Sequence, residues 1–244
     1  MTQSNTEVVV EKLDITEPIV VTGFPGIGLV GTIASAHIVN EYKLEPIGFI
    51  ESHKLPPVAT LINGVAVPPI RIYQLIDYGI VLVHSDVPIS QEITYDLVTS
   101  IVDWASRINA RKLYSLAGVA TFEGKNRVFG AATSKELLEE LKDNVEIFQT
   151  GTITGAPGSL LNECVMKKYP GLILLGETYG SNPDPRAAAE IVQVLNKIFN
   201  LNIDTERLIE EAEYIEAQMQ KLADQTRAEE EKETSGKEEF PMFG

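Results

Sequence analysis

Short apolar runs rich in β-branched residues recur along the chain at Val8–Val10, Ile19–Val21, Ile47–Ile50, Ile80–Val83, Leu113–Leu116 and Leu172–Leu175. Runs of this length, bounded by polar residues, predict strands buried on both faces. Between them, apolar residues return every three or four positions over roughly 27–42, 89–109, 134–142, 158–169 and 184–199, the period of helices. Strands alternating with helices predict an α/β fold over residues 1–203, three layers deep around a largely parallel sheet. The stretch Val58–Ile62, Asn63-Gly64, Val65–Val67 breaks the rhythm. Asn-Gly accepts positive φ at both turn positions, so a tight hairpin is expected there and the sheet is predicted to be mixed.

The pattern changes after about residue 200. Asn182-Pro183 supplies a capping side chain before a proline, a start signal for the helix through Ala187-Ala188-Ala189. Asp204 then begins a second amphipathic segment, assigned to 204–228 with its helix fading by about Glu231. Leu208, Ile209, Ala212, Ile215, Met219 and Leu222 fall on one stripe of it, opposite a face made mostly of Glu. Such a stripe needs cover, either from the body of its own chain or from another subunit. Residues 229–239 are too polar to offset the entropy of ordering and read as a flexible acidic tether. The apolar tip Phe240-Pro241-Met242-Phe243-Gly244 follows it.

Composition narrows the classes. The 244 residues are 44% hydrophobic and 23% charged, ordinary values for a globular chain. The formal net charge is -15, and the segment from Asp204 onward holds 13 acidic against 5 basic residues. With no Lys/Arg stripe to neutralise phosphates, nucleic acid is not an expected partner. No run approaches the length that spans a bilayer, and Met1 to Thr6 lacks the pattern of a secretory signal, so a cytoplasmic location without membrane attachment is expected. One cysteine, Cys164, forms no disulfide framework and reads as a small core residue. His37, His53 and His84 show no metal-ligand spacing, and no metal or cofactor is expected.

Candidate chemistry lies at two glycine turns. Gly26, Gly28 and Gly31 match G-x-G-x-x-G between a predicted strand and helix, the setting of a dinucleotide fingerprint. Glu51, about 20 residues on, would be the ribose-binding acid, but Ser52-His53-Lys54-Leu55-Pro56-Pro57 follows it instead of a second βα unit. Glycines serving a tight turn and close helix-sheet contact are therefore the preferred reading of the segment. The second cluster, Gly155-Ala156-Pro157-Gly158-Ser159, lacks the lysine of a phosphate loop. Asp86, Glu92, Glu123 and Glu177 fall at strand ends or loops without paired spacing, and none is assigned a catalytic role.

The segment Gly23-Phe24-Pro25-Gly26-Ile27-Gly28-Leu29-Val30-Gly31, with Leu55-Pro56-Pro57, Gly118-Val119-Ala120, Gly155-Ala156-Pro157-Gly158 and Glu177-Thr178, resembles the archaeal homologues of the proteasome assembly chaperone family over roughly residues 8–200. The resemblance implies a nucleoside phosphorylase-like fold and a non-enzymatic chaperone or adaptor that engages proteasome 20S α-subunits or the α-ring. It also implies a C-terminal hydrophobic-tyrosine-any docking motif, whose places are taken here by Met242, Phe243 and Gly244. Phenylalanine lacks the phenol hydroxyl, removing one hydrogen bond worth about 0.5–1.5 kcal/mol. Joining several tips on one homo-oligomer would raise avidity by about 10²- to 10⁴-fold, with the stripe from Leu208 to Leu222 helping to join the subunits. Two other readings follow from the same residues: a nucleotide- or nucleoside-binding enzyme using the glycine turns, or a scaffold whose tail binds another protein.

Overall fold

The computed structural model of the chain describes residues 6–121, 126–180 and 182–214. Its strands are β1 (Thr6–Val10), β2 (Ile19–Gly23), β3 (Gly48–Ser52), β4 (Thr60–Ile62), β5 (Val65–Val67), β6 (Ile70–Leu75), β7 (Ile80–Ser85), β8 (Lys112–Ala120), β9 (Val128–Ala132), β10 (Glu146–Ile147) and β11 (Gly171–Thr178). Its helices are α1 (Val30–Glu41), α2 (Gln91–Arg107), α3 (Lys135–Leu141), α4 (Gly155–Lys167) and α5 (Pro185–Phe199). Residues 206–214 form a further helical segment.

Among the described residues, nine strands make one sheet in the order β1-β3-β6-β7-β2-β8-β11-β9-β10. The centre, β7-β2-β8-β11, is parallel. Antiparallel pairing flanks it, with β1, β3 and β6 on one side and β9 on the other. Successive residues of the central strands feed opposite faces, as the period of two requires. Val21, Leu82 and Leu116 face a core closed by α1 and α5, whereas Val20, Val81 and Leu113 face one closed by α2 and α4. The three-layer α/β fold and its mixed sheet are therefore as expected from the apolar runs.

The source of the mixture differs. Asn63 and Gly64 take φ of 50° and 81°, so the hairpin turn forms as anticipated. Its strands, however, pair only with each other and make a separate two-stranded sheet. The antiparallel character of the main sheet comes from strands that carry less obvious patterns. β6 alternates apolar residues with Arg71 and Gln74, and β9 reads Val-Phe-Gly-Ala-Ala. The start of α5 also moves: Asp184, rather than Asn182, is the cap, accepting from Ala187 N at 2.9 Å, with Pro185 in the first turn. The Asp-Pro pair lies two residues beyond the Asn-Pro pair and carries the same signal, and Asp184 N is held by Gly28 O at 2.9 Å.

The C-terminal stripe meets its own chain. Leu208 and Ala212 are each 2% exposed, Leu208 lies within the core closed by α1 and α5, and Ile209 packs against it. His37 Nε2 on α1 lies 2.6 Å from Asp204 O, and Asp204 Oδ1 accepts from Glu206 N at 2.9 Å, fixing the segment's entry. Leu208 and Ala212 are thus covered within the subunit, and Ile209 is partly covered. Ile215, Met219 and Leu222 lie outside the described residues, as does the tether at 229–239.

Leu208→Ala is expected to lower the unfolding free energy by about 3 kcal/mol in a urea titration, because it opens a cavity in a closed core. A loss below about 1 kcal/mol would show that the helix over 206–214 is not docked on the body.

Candidate functional site

The glycine turn between β2 and α1 lies at the carboxyl end of the parallel strands, where open α/β sheets place ligands. Gly28 holds φ of 62°, and a Cβ there would stand 2.8 Å from Thr178 Oγ1 on β11. At Gly31 a Cβ would come within 2.2 Å of Leu116 O on β8. The contact is reciprocal, since a Cβ on Gly118 would come within 2.2 Å of Ile27 O. Gly26 differs: a Cβ there would meet nothing within 4 Å. Two of the three motif glycines are therefore explained within the chain itself, Gly31 by backbone packing and Gly28 by its positive φ and the Thr178 side chain. Glu51 lies on β3, paired with Glu7 of β1 and separated from β2 by β6 and β7. The fold does not bring the ribose-binding candidate to the turn.

A crevice of about 180 Å³ separates this turn from the second glycine cluster at the start of α4. Pro25, Ile27, Val119, Phe148, Ile153 and Thr154 are among its walls. No charged side chain is among the described lining residues, so the crevice suits an apolar group and supplies no cation for a phosphate. Gly158 is again a packing residue, because a Cβ would come within 2.0 Å of Ile153 O.

Asp86 was recognisable as an isolated acid; its partners were not. Its Oδ1 lies 2.8 Å from His84 Nε2, and His84 Nδ1 lies 2.7 Å from Ser35 Oγ on α1. Arg71 of β6 donates to Asp86 from both terminal nitrogens, at 2.5 and 3.2 Å. Its other bonds go to Tyr73 Oη at 2.6 Å and Pro68 O at 2.9 Å. The order of Ser, His and Asp matches that of a hydrolase relay, but Ser35 is 0% exposed and His84 3%. A substrate carbonyl has no approach to this hydroxyl in the fold described. The chain's evident work is to tie α1, β6 and β7 together. Burial pulls the Asp86 carboxyl upward, but hydrogen bonds from His84 and Arg71 outweigh it and hold the group well below the usual carboxylate range.

Glu177, unlike Asp86, is internal. Its carboxylate is fully buried and accepts from Arg127 Nη2 at 3.0 Å, from Arg127 Nε and N at 3.2 Å, and from Thr121 Oγ1. Both carboxylate oxygens are engaged, which suits a structural pair. Burial pushes the Cys164 thiol up to about 12, leaving it neutral in the core beneath α4. Glu92 lies in the first turn of α2, and Glu123 falls outside the described residues. Among the described residues, no group of three or more His, Cys, Asp or Glu gathers as a metal site, and no helix is long and apolar enough to cross a membrane. Phe240, Met242, Phe243 and Gly244 lie outside the described residues.

Comparison with known proteins identifies the chain's relatives. The PAC2 family model matches residues 20–223, and the chain belongs to that family. The uncharacterized protein MJ0106 of Methanocaldococcus jannaschii is 38% identical over 95% of both chains. Pyrococcus furiosus PbaA, described as an archaeal homolog of proteasome-assembly chaperone, superposes with a TM-score of 0.81 at 34% identity, covering 94% of this chain and 97% of its own. PbaB of the same organism, an archaeal proteasome activator, superposes with a TM-score of 0.80 at 27% identity, covering 91% of this chain and 100% of its own.

Two outcomes follow from the geometry. Gly31→Ala is expected to cost about 3 kcal/mol in chemical denaturation, because its methyl meets a backbone carbonyl, whereas Gly26→Ala is expected to change stability by less than about 0.5 kcal/mol. Equal effects of the two would discard the packing account. Asp86→Asn is expected to cost about 1–2 kcal/mol at neutral pH, reduced from a fully buried pair by the carboxylate's partial exposure. A carboxylate depressed by folding contributes stability above its unfolded pKa of about 4 and loses it as pH falls. The gap between parent and variant should therefore narrow below about pH 4 in acid titrations of unfolding.

Proposed function

We propose that this PAC2-family chain is a non-enzymatic proteasome assembly chaperone or activator, which binds the α-subunits or α-ring of the 20S proteasome through its C-terminal tip. The supporting observation is the likeness to PbaA, which spans nearly the whole of both chains at 34% identity. Glu177 is buried in a closed ion pair and Asp86 is bound by His84 and Arg71, which agrees with a binding role, and the apolar, uncharged crevice offers little to a nucleotide phosphate.

The tip supplies the chemistry of docking. Met242 and Phe243 provide an apolar anchor at the end of an acidic, Gly- and Ser-containing tether, and an aromatic side chain entering a pocket between two subunits loses little conformational entropy. Phe243 makes a single tip weak, so the protein acts as a homo-oligomer that presents several tips to one ring. A location in the cytoplasm accompanies this role.

Removal of Met242 to Gly244 is expected to abolish capture of 20S particles in a pull-down while leaving the circular dichroism spectrum unchanged. Retained capture would refute the role of the tip. Phe243→Tyr is expected to tighten binding about two- to tenfold, the equivalent of one added hydrogen bond, in a titration followed by surface plasmon resonance.

A further inference from the structure

The β4–β5 hairpin stands apart from the machinery described so far. It hydrogen-bonds to itself and not to the main sheet. Its tip carries apolar side chains into solvent: Leu61 and Val65 are each 65% exposed, and Ile62 is 44% exposed. An isolated two-stranded hairpin is marginal in water, and this one is fixed at its base. Arg71 Nη1 donates to Pro68 O, Asp86 N donates to Pro69 O, and Leu55 packs into the core beneath α2. Prolines precede and follow the hairpin at Pro56-Pro57 and Pro68-Pro69, and each strand is three residues long. Such short, proline-bounded strands discourage strand addition. The hairpin therefore offers side chains, presented on a stiff arm.

Charge selects the partner. From Leu55 to Ile70 the sequence has no Asp, Glu, Lys, Arg or His, although the whole chain carries a net -15. Two copies of so acidic a chain repel each other. A neutral apolar arm lets them meet with the least Coulombic cost, whereas a basic partner would gain nothing from this patch. A receiving surface exists at the opposite corner of the molecule. There, α4 and the loop before β11 frame an open groove of about 440 Å³ that includes Leu137, Val165, Tyr169 and Pro170, with Glu136 and Lys168 supplying charges of opposite sign. Val165 is 53% exposed.

The topology prevents one molecule from joining its own arm and groove. The hairpin leads into Ile70, which pairs with Ser85 at the carboxyl end of β7, on the β1 side of the sheet. The groove borders Gly171 at the amino end of β11, on the β10 side. We infer that the β4–β5 hairpin of one copy docks in the α4 groove of the next, a head-to-tail contact of the kind that closes subunits into a ring. This inference rests on the homo-oligomer in the proposed function and assigns its contact surface.

The test uses the full chain. Sedimentation velocity of the parent protein is expected to give a multiple of 26.8 kDa. Leu61→Asp with Val65→Asp, and separately Val165→Asp, are each expected to fall to the monomer mass with unchanged circular dichroism. Because the parent side chains are already solvent-exposed, these substitutions leave the core intact. Mixing the two variants should restore a one-to-one pair, since one intact hairpin and one intact groove remain between them. A parent protein that is monomeric overturns the oligomer itself. An oligomeric parent whose hairpin variant keeps the parent mass overturns only the assigned surface, as does a variant mixture that stays monomeric or a hairpin cross-link that joins a proteasome subunit instead of a second copy. Proteasome capture by the parent is measured separately and does not decide the contact.

Discussion

The fold depends on the close approach of two stretches of backbone. Gly31 rests on the carbonyl of Leu116, and Gly118 rests on the carbonyl of Ile27, so the β2–α1 turn lies against β8 with no side chain between them. Thr178 of β11 fills the space beside Gly28, and Asp184 of α5 donates to its carbonyl. One turn thereby sets the separation of three parallel strands and two helices. Packing at this density leaves no room for even a methyl group without movement of backbone. The same closeness explains why a motif shared with dinucleotide-binding proteins serves a different end here. In those proteins the missing side chains make room for a pyrophosphate, whereas here Gly28 and Gly31 make room for the protein.

Polar networks anchored on buried side chains add a second level of constraint. Ser35, His84, Asp86 and Arg71 join α1 to two strands, and Glu177 with Arg127 and Thr121 joins β11 to the segment before β9. Removing one member of such a set strands its partner in a poorly solvated place, so the sets specify register and orientation more than they add stability. Arg71 extends this control to the surface, because its bond to Pro68 fixes the return base of the hairpin. The hairpin's direction is thus set by a charge pair at its base.

Much of the fold was legible because central strands and amphipathic helices advertise themselves by period. Ile19–Val21, Ile80–Val83, Leu113–Leu116 and Leu172–Leu175 all became strands of the parallel centre. β6 was hidden by Arg71, whose burial makes sense only with Asp86 and Tyr73 beside it, and β9 by glycine and alanine, which have weak strand preference. The cap of α5 was misplaced by two residues because Asn182-Pro183 and Asp184-Pro185 carry the same local signal, and only the contact with Gly28 separates them. At the candidate site, the glycines were legible but their contacts were not. Leu116 lies 85 positions beyond Gly31 in sequence, and local spacing carries no trace of that approach. The stripe from Leu208 to Ala212 was visible as apolar, but period alone does not say which surface covers it.

The strand order has a consequence for how the chain is made. β2 is the first strand of the parallel centre to leave the ribosome, yet it pairs with β7 and β8, whose partners for Val20 are Val81 and Leu113. At about 5–20 residues per second, roughly 5–20 s separate synthesis of Val20 from that of its last neighbour. Through that interval a strand that opens on the apolar run Ile19–Val21 has both edges open, the condition under which nascent chains associate wrongly. The yield of a chain with this topology should therefore be governed by the rate of elongation through residues 20–113 as much as by the stability of the finished fold.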